Sequence, residues 1–110
     1  MRVLRLLLPG LIFAAGCHQE VAGGRADGPA VFAEACSRCH GDGGKPSESM
    51  ASQLKVRDLT DPAFGARATV ELVENQVRKG SDNHVMPSFA GTLTDAQIHA
   101  VAEYVVTLSK

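Results

Sequence analysis

Residues 36–40 read Cys36-Ser37-Arg38-Cys39-His40, and the stretch leading into them is Gly28-Pro29-Ala30-Val31-Phe32-Ala33-Glu34-Ala35. Phe32, Ala35, Cys36 and Cys39 recur at i, i+3, i+4 and i+7, the spacing of one helix face. Pro29 suits a first helical turn, where its missing N–H is not needed. The pattern predicts a helix from Gly28 to His40, stopped at Gly41. Two cysteines three apart on a helix present both sulfurs on one side. Cys-x-x-Cys followed directly by His is the spacing with which two thiols bond one haem while the imidazole ligates its iron. Three other chemistries compete for these residues. A thiol–disulfide site asks for a βαβ setting, and no alternating strand pattern occurs in this chain. A zinc site needs a fourth ligand, and adjacent Cys39 and His40 suit a tetrahedron poorly. A structural disulfide between positions three apart closes too small a loop to stabilise much.

Upstream, residues 1–16 carry Arg2 and Arg5, then an apolar run from Leu6 to Gly16. A membrane-spanning helix needs ~20 apolar residues, so this run has the length of a signal-peptide core instead. Ala14, Ala15 and Gly16 precede Cys17 and resemble a bacterial lipobox, although the position three before the cysteine is more often Leu. The resemblance implies that Cys17 becomes the first mature residue and carries a lipid. An ordinary signal peptide cut nearby, leaving a free Cys17, is the competing reading. Residues 17–27 have no apolar period and read as a flexible, lipid-anchored tether. Ten such residues span ~17 Å root-mean-square.

Processing leaves nine Lys and Arg against twelve Asp and Glu, a net charge of −3. That balance excludes a nucleic-acid binder held by electrostatics and is compatible with a redox partner bearing a basic face. Phe32, Phe64, Phe89 and Tyr104 are the only aromatic residues after Cys17. So small a domain with so few large side chains needs something further to fill its core.

Downstream, residues 41–68 are rich in Gly and Pro and read as a loop, with one short helix around Met50–Val56. A loop of this length is acceptable where it wraps a ligand. Thr69 to Lys79 reads as a second long helix, with Thr69 as N-cap, Val70, Val73 and Val77 on one face, and Gly80 as stop. Residues 81–93 form another loop. Thr94 and Gln97 have the spacing of a capping box, and Ile98, Val101, Ala102, Val105 and Leu108 form a helical stripe. The domain, residues 28–110, is therefore all-α.

The iron of an electron carrier needs a sixth ligand, and Met50, Met86, His18, His84 and His99 are the candidates. Met86 precedes Pro87 in a polar loop, where proline stiffens the chain and a core-filling role for methionine fits badly. His84 is the strongest rival. Met50 lies in a Ser-rich run and His18 in the tether. His99 lies on the polar side of the last helix with Asp95 and Glu103 and reads as solvated.

The segments GPAVFAEACSRCHG, DLTD, VRKG, MPSF and LTDAQIHAVAEYVVTL, in this order and spacing, resemble the small class I cytochromes c of bacteria. The resemblance covers residues 28–109. It implies a cytochrome c fold of three main helices and long loops wrapping one covalent haem c. It also implies a crossing of the first and last helices near Gly28, Phe32 and Tyr104. In that family a proline carbonyl after the motif often accepts the Nδ1–H of the haem histidine, which points to Pro46.

The combined expectation is an exported, monomeric, single-haem electron carrier with no catalytic residues. Cys36 and Cys39 form the thioethers, His40 and Met86 ligate the iron, and Cys17 holds the protein to a membrane facing the periplasm. Its partners are redox proteins. The alternatives are a haem subunit of a larger oxidoreductase and a ligand-binding haem enzyme or sensor.

Overall fold

The computed structural model describes Gly10 and residues 19–110. The signal segment, Cys17 and His18 lie outside the described residues, Gly10 apart. Among the described residues the regular structure is helical, with one isolated bridge between Ala90 and Leu93. There are three longer helices, α1 (Gly28–Ala35), α5 (Val70–Lys79) and α6 (Asp95–Val105). Between them lie three short ones, α2 (Ser37–His40), α3 (Glu48–Gln53) and α4 (Pro62–Gly65). None of the described helices is long and apolar enough to cross a membrane.

Local chemistry starts each long helix. The Asp27 carboxylate accepts the Ala30 N–H at 3.2 Å, and Pro29 follows in the first turn. The Thr69 hydroxyl accepts the Leu72 N–H at 3.1 Å. At α6 the Thr94 hydroxyl accepts from Gln97 N–H while the Gln97 side chain accepts from Thr94 N–H, both at 3.1 Å, completing the capping box. Gly80, at φ 72°, ends α5 in the left-handed region that favours glycine.

The core lies where α1 and α5 pack on α6. Val31, Phe32, Ile98 and Val101 are fully buried, and Val73, Val77, Ala102 and Val105 join them. A Cβ on Gly28 would lie 2.5 Å from the Ala100 carbonyl oxygen and 2.9 Å from Tyr104 Cβ. Only a glycine lets the two backbones approach this closely. Phe32 and Tyr104 meet edge to face, with ring centroids 5.4 Å apart, an arrangement that aromatic quadrupoles favour. The expected crossing is therefore present.

Three expectations need correction. The helix through the motif is not continuous: Cys36, at φ −119° and ψ −35°, interrupts it, and α2 restarts at Ser37. Backbone bonds still cross the break, from Cys36 N–H to Phe32 O and from His40 N–H to Cys36 O. The break turns the motif off the straight line of α1, so Cys36 and Cys39 are half-buried while Val31 and Phe32 fill the core. The short helix in the first loop begins at Glu48, because the Ser47 hydroxyl accepts the Met50 N–H and fixes its start. It is over before Lys55, which is left-handed at φ 55°.

The third correction concerns the tether. Val21–Gly24 forms a 3-10 turn that is docked on the domain. Ala22 is buried, and its N–H donates to the Glu34 carboxylate at 2.7 Å. The Gln97 side-chain amide donates to the carbonyls of Val21 at 2.9 Å and Arg25 at 3.1 Å. Gln97 is buried yet fully bonded, serving the capping box with one end and this strap with the other. Of the tether expected over 17–27, the stretch 21–25 is therefore docked on the domain.

Candidate haem site

α2 carries the motif. Cys36 and Cys39 are free thiols, which removes the disulfide reading. No group of three or more His, Cys, Asp or Glu side chains that could hold a metal ion occurs among the described residues. Burial, and then the neighbouring Cys39, push the Cys36 thiol up to about 11. It is neutral at ordinary pH.

His40 sits at the end of α2. Its Nδ1 lies 3.0 Å from the Arg57 carbonyl oxygen. A carbonyl only accepts, so Nδ1 carries the proton and Nε2 keeps its lone pair. Burial lowers the His40 pKa, partly offset by the bond to Arg57. The ring is held neutral, the form that ligates a metal. Two free thiols and one oriented imidazole nitrogen on a single helical turn are the donor set that a covalently attached haem requires.

The carbonyl partner is Arg57, not Pro46. Pro46 is buried in the turn that follows Gly41, where a Cβ on Gly41 would collide with the Lys45 carbonyl at 2.0 Å. The chain then passes through α3 and doubles back. Val56 N–H donates to Met50 O at 3.3 Å, and Leu59 N–H to Gly44 O at 2.8 Å. Leu59 is buried. The closed loop brings position 57 beside His40. No side-chain pattern announced Arg57, because its backbone makes the contact.

Met86 is half-buried and packs against the core. Its loop is tied at both ends. Ser81 N–H donates to Met86 O at 2.9 Å, and Met86 N–H donates to the Ser81 hydroxyl at 3.0 Å. Ser88 donates its hydroxyl to Arg78 O, and Phe89 N–H donates to Val77 O, which fastens the Met86-Pro87-Ser88-Phe89 stretch to the end of α5. A Cβ on Gly80 would lie 2.5 Å from the Met86 carbonyl oxygen, so the loop lies on a glycine. His84 occupies the exposed tip of this loop at φ 61°. Met50 is half-buried on α3.

His99 stands apart from the motif. It is exposed, but both ring nitrogens have carboxylate partners: Glu74 on α5 at 2.5 Å, and Glu103 one turn along α6. Asp95 pairs instead with Arg78, at 3.5 Å. His99 was expected among Asp95 and Glu103; the bridge to α5 comes from the fold.

Residues 23–105 match the family described as cytochrome c oxidase, cbb3-type, subunit III. The chain is a c-type cytochrome of this family. It is 40% identical over 80 residues to a cytochrome c6 of Microcystis aeruginosa, covering 73% of this chain and 91% of that relative. It is 37% identical over 83 residues to the CcoP subunit of the cbb3-type cytochrome c oxidase of Cereibacter sphaeroides, covering 73% of this cytochrome but 26% of that subunit. A solved structure, the KustC0563 c-type cytochrome, superposes with a TM-score of 0.68 at 26% identity, over 76% of this chain and 99% of that one. The cytochrome carries one covalent haem c and is an electron carrier.

Proposed function

We propose that this cytochrome passes single electrons outside the cytoplasm, with Cys36 and Cys39 as thioether donors and His40 and Met86 as the axial ligands. When bound, the haem supplies the Fe(III)/Fe(II) couple. The observation that carries this reading is how the chain prepares the two ligands. The His40 ring is oriented through Nδ1 so that Nε2 is free. Met86 sits half-buried in a loop tied to Ser81 and α5, whereas His84 is turned into solvent at the loop tip. A thioether is a soft, neutral ligand that favours Fe(II), so the potential is held above that of a bis-histidine haem.

Met86→Ala and Met86→His test the ligand. The weak long-wavelength charge-transfer band of methionine-bound ferric haem should be present in the wild type and vanish in both. Met86→His should stay six-coordinate and low-spin at a lower potential. A band that survives Met86→Ala would assign the position to another residue, His84 first.

Export is supported by the N-terminal apolar run and by the haem motif itself, and membrane attachment by the small residues before Cys17. Mass spectrometry of the membrane fraction should find a diacylglyceryl-modified N-terminus at Cys17. A native soluble protein beginning after Cys17 would refute the anchor. The likeness to CcoP and the family description favour a second reading, in which this haem domain serves inside a larger oxidase. Co-purification of an oxidase core with the tagged cytochrome from its native membrane would decide for that reading.

A further inference from the structure

Arg57 touches the site at one end and the fold at the other. Its carbonyl accepts from His40 Nδ1–H at 3.0 Å. Its guanidinium carbon lies 5.9 Å from the centroid of the Phe64 ring. Phe64 is buried on α4, whose first turn is capped by the Asp61 carboxylate. The chain on either side offers little freedom. Lys55 is held left-handed, a conformation that a non-glycine residue keeps only when its surroundings impose it. Asp58 closes a tight turn by accepting from the N–H and the hydroxyl of Thr60 at 2.8 and 2.6 Å. Residue 57 itself is exposed, and among the described residues its ring contact is its one side-chain anchor.

We propose that Arg57 is a positioning residue for the haem iron: its guanidinium, seated on Phe64, fixes the direction of its own carbonyl toward His40, and so sets how strongly His40 Nε2 donates to the metal. The inference rests on His40 being the iron's nitrogen ligand. A bond from Nδ1–H to an acceptor raises the basicity of the ligating nitrogen. A stronger donor stabilises Fe(III), so the intact contact holds the potential down, and loosening it raises the potential. The charge of Arg57 acts in the opposite sense. A nearby cation favours Fe(II) because it repels the more positive Fe(III) state, and removing it would lower the potential. The two roles therefore differ in sign.

The test uses the holoprotein. The paramagnetically shifted His40 ring signals of the ferric wild type come first; their absence would overturn the ligation itself, independently of Arg57. Three variants follow. Arg57→Leu removes charge and ring contact, Phe64→Leu removes the ring and keeps the charge, and Arg57→Lys keeps both. Arg57→Leu and Phe64→Leu should each shift the iron toward Fe(II) about threefold, which is about 30 mV upward for one electron. Both should also speed solvent exchange of the His40 Nδ1 proton. Arg57→Lys should restore the wild-type potential and exchange. A lowered potential in Arg57→Leu would show that only the charge matters. An unchanged potential with an unchanged Nδ1 proton would show that the ring contact is idle. Either result overturns the proposal. Should Arg57→Leu fail to take up haem, Phe64→Leu alone decides, because it leaves every charge in place.

Discussion

The cross of α1, α5 and α6 and the stretch from Cys36 to Thr60 are built on different principles. The cross holds the fully buried side chains Val31, Phe32, Ile98 and Val101 and the close backbone approach at Gly28. The site stretch, nearly as long as α1, α5 and α6 together, buries one large apolar side chain, Leu59. It is shaped instead by hydrogen bonds to backbone carbonyls: Leu59 N–H to Gly44 O, Val56 N–H to Met50 O, and the His40 ring Nδ1–H to Arg57 O. The cross is specified by packing. The site stretch is given a shape but little hydrophobic filling, and a haem held by Cys36, Cys39 and His40, as proposed, would supply what is missing. Cofactor binding and stability are then one quantity for that half of the molecule.

The largest effect should come from removing the attachment. The Cys36→Ser, Cys39→Ser double variant should lose all covalent haem, leaving no haem-stained band on a denaturing gel. Hydrogen exchange should find the amides of 41–60 open to solvent while those of α6 keep residual protection. Equal protection of both regions would erase the distinction drawn here. Next in size is Phe32→Ala, which empties the centre of the cross and should cost ~3–5 kcal/mol in denaturant unfolding of the holoprotein. Its reduction potential should barely move. A large change in potential would mean that the two regions are not separable. Gly28→Ala should cost ~1–3 kcal/mol by overpacking, because the new methyl meets the Ala100 carbonyl and Tyr104 Cβ. The same melt measures it.

The smallest effect concerns pH. Hydrogen bonding to Glu74, with Glu103 adding to it, raises the His99 pKa above its usual value. The folded state therefore binds this proton more tightly than the unfolded chain does. The stabilisation is complete below the unfolded value of about 6.5 and fades as pH rises through the higher folded value. His99→Gln should flatten the fall in melting temperature across that window. His99 is exposed, so the change should be slight. A wild-type melting temperature that rises there would contradict the assignment.

What could be read from the sequence follows the same division. The motif and the capping box are written in side chains at fixed local spacings, whereas the Gly28–Phe32–Tyr104 crossing is implied by the family resemblance; all three are present. The acceptor for His40 is Arg57 and not the expected Pro46, because a backbone carbonyl has no residue signature; loop closure through Lys55, Val56 and Leu59 decides which one arrives. The docked strap has no local signature, because Val21 and Arg25 are held through their carbonyls by Gln97, more than seventy residues away. The interruption at Cys36 has neither Gly nor Pro to mark it. The Glu74 partner of His99 depends on how α5 lies against α6, which a helical period alone does not fix.

The docked strap also bears on how the cytochrome meets its partners. Ten free residues would let the domain drift ~17 Å from its anchor point on average and reach ~35 Å when drawn out. With Val21 fixed to the domain and Cys17 lipidated as proposed, four peptide steps remain, ~14 Å at full stretch. If so anchored, the protein would not tumble freely above the bilayer. Its encounters become a two-dimensional search at nearly constant height, and a membrane-bound donor or acceptor would meet much the same side of it at every collision.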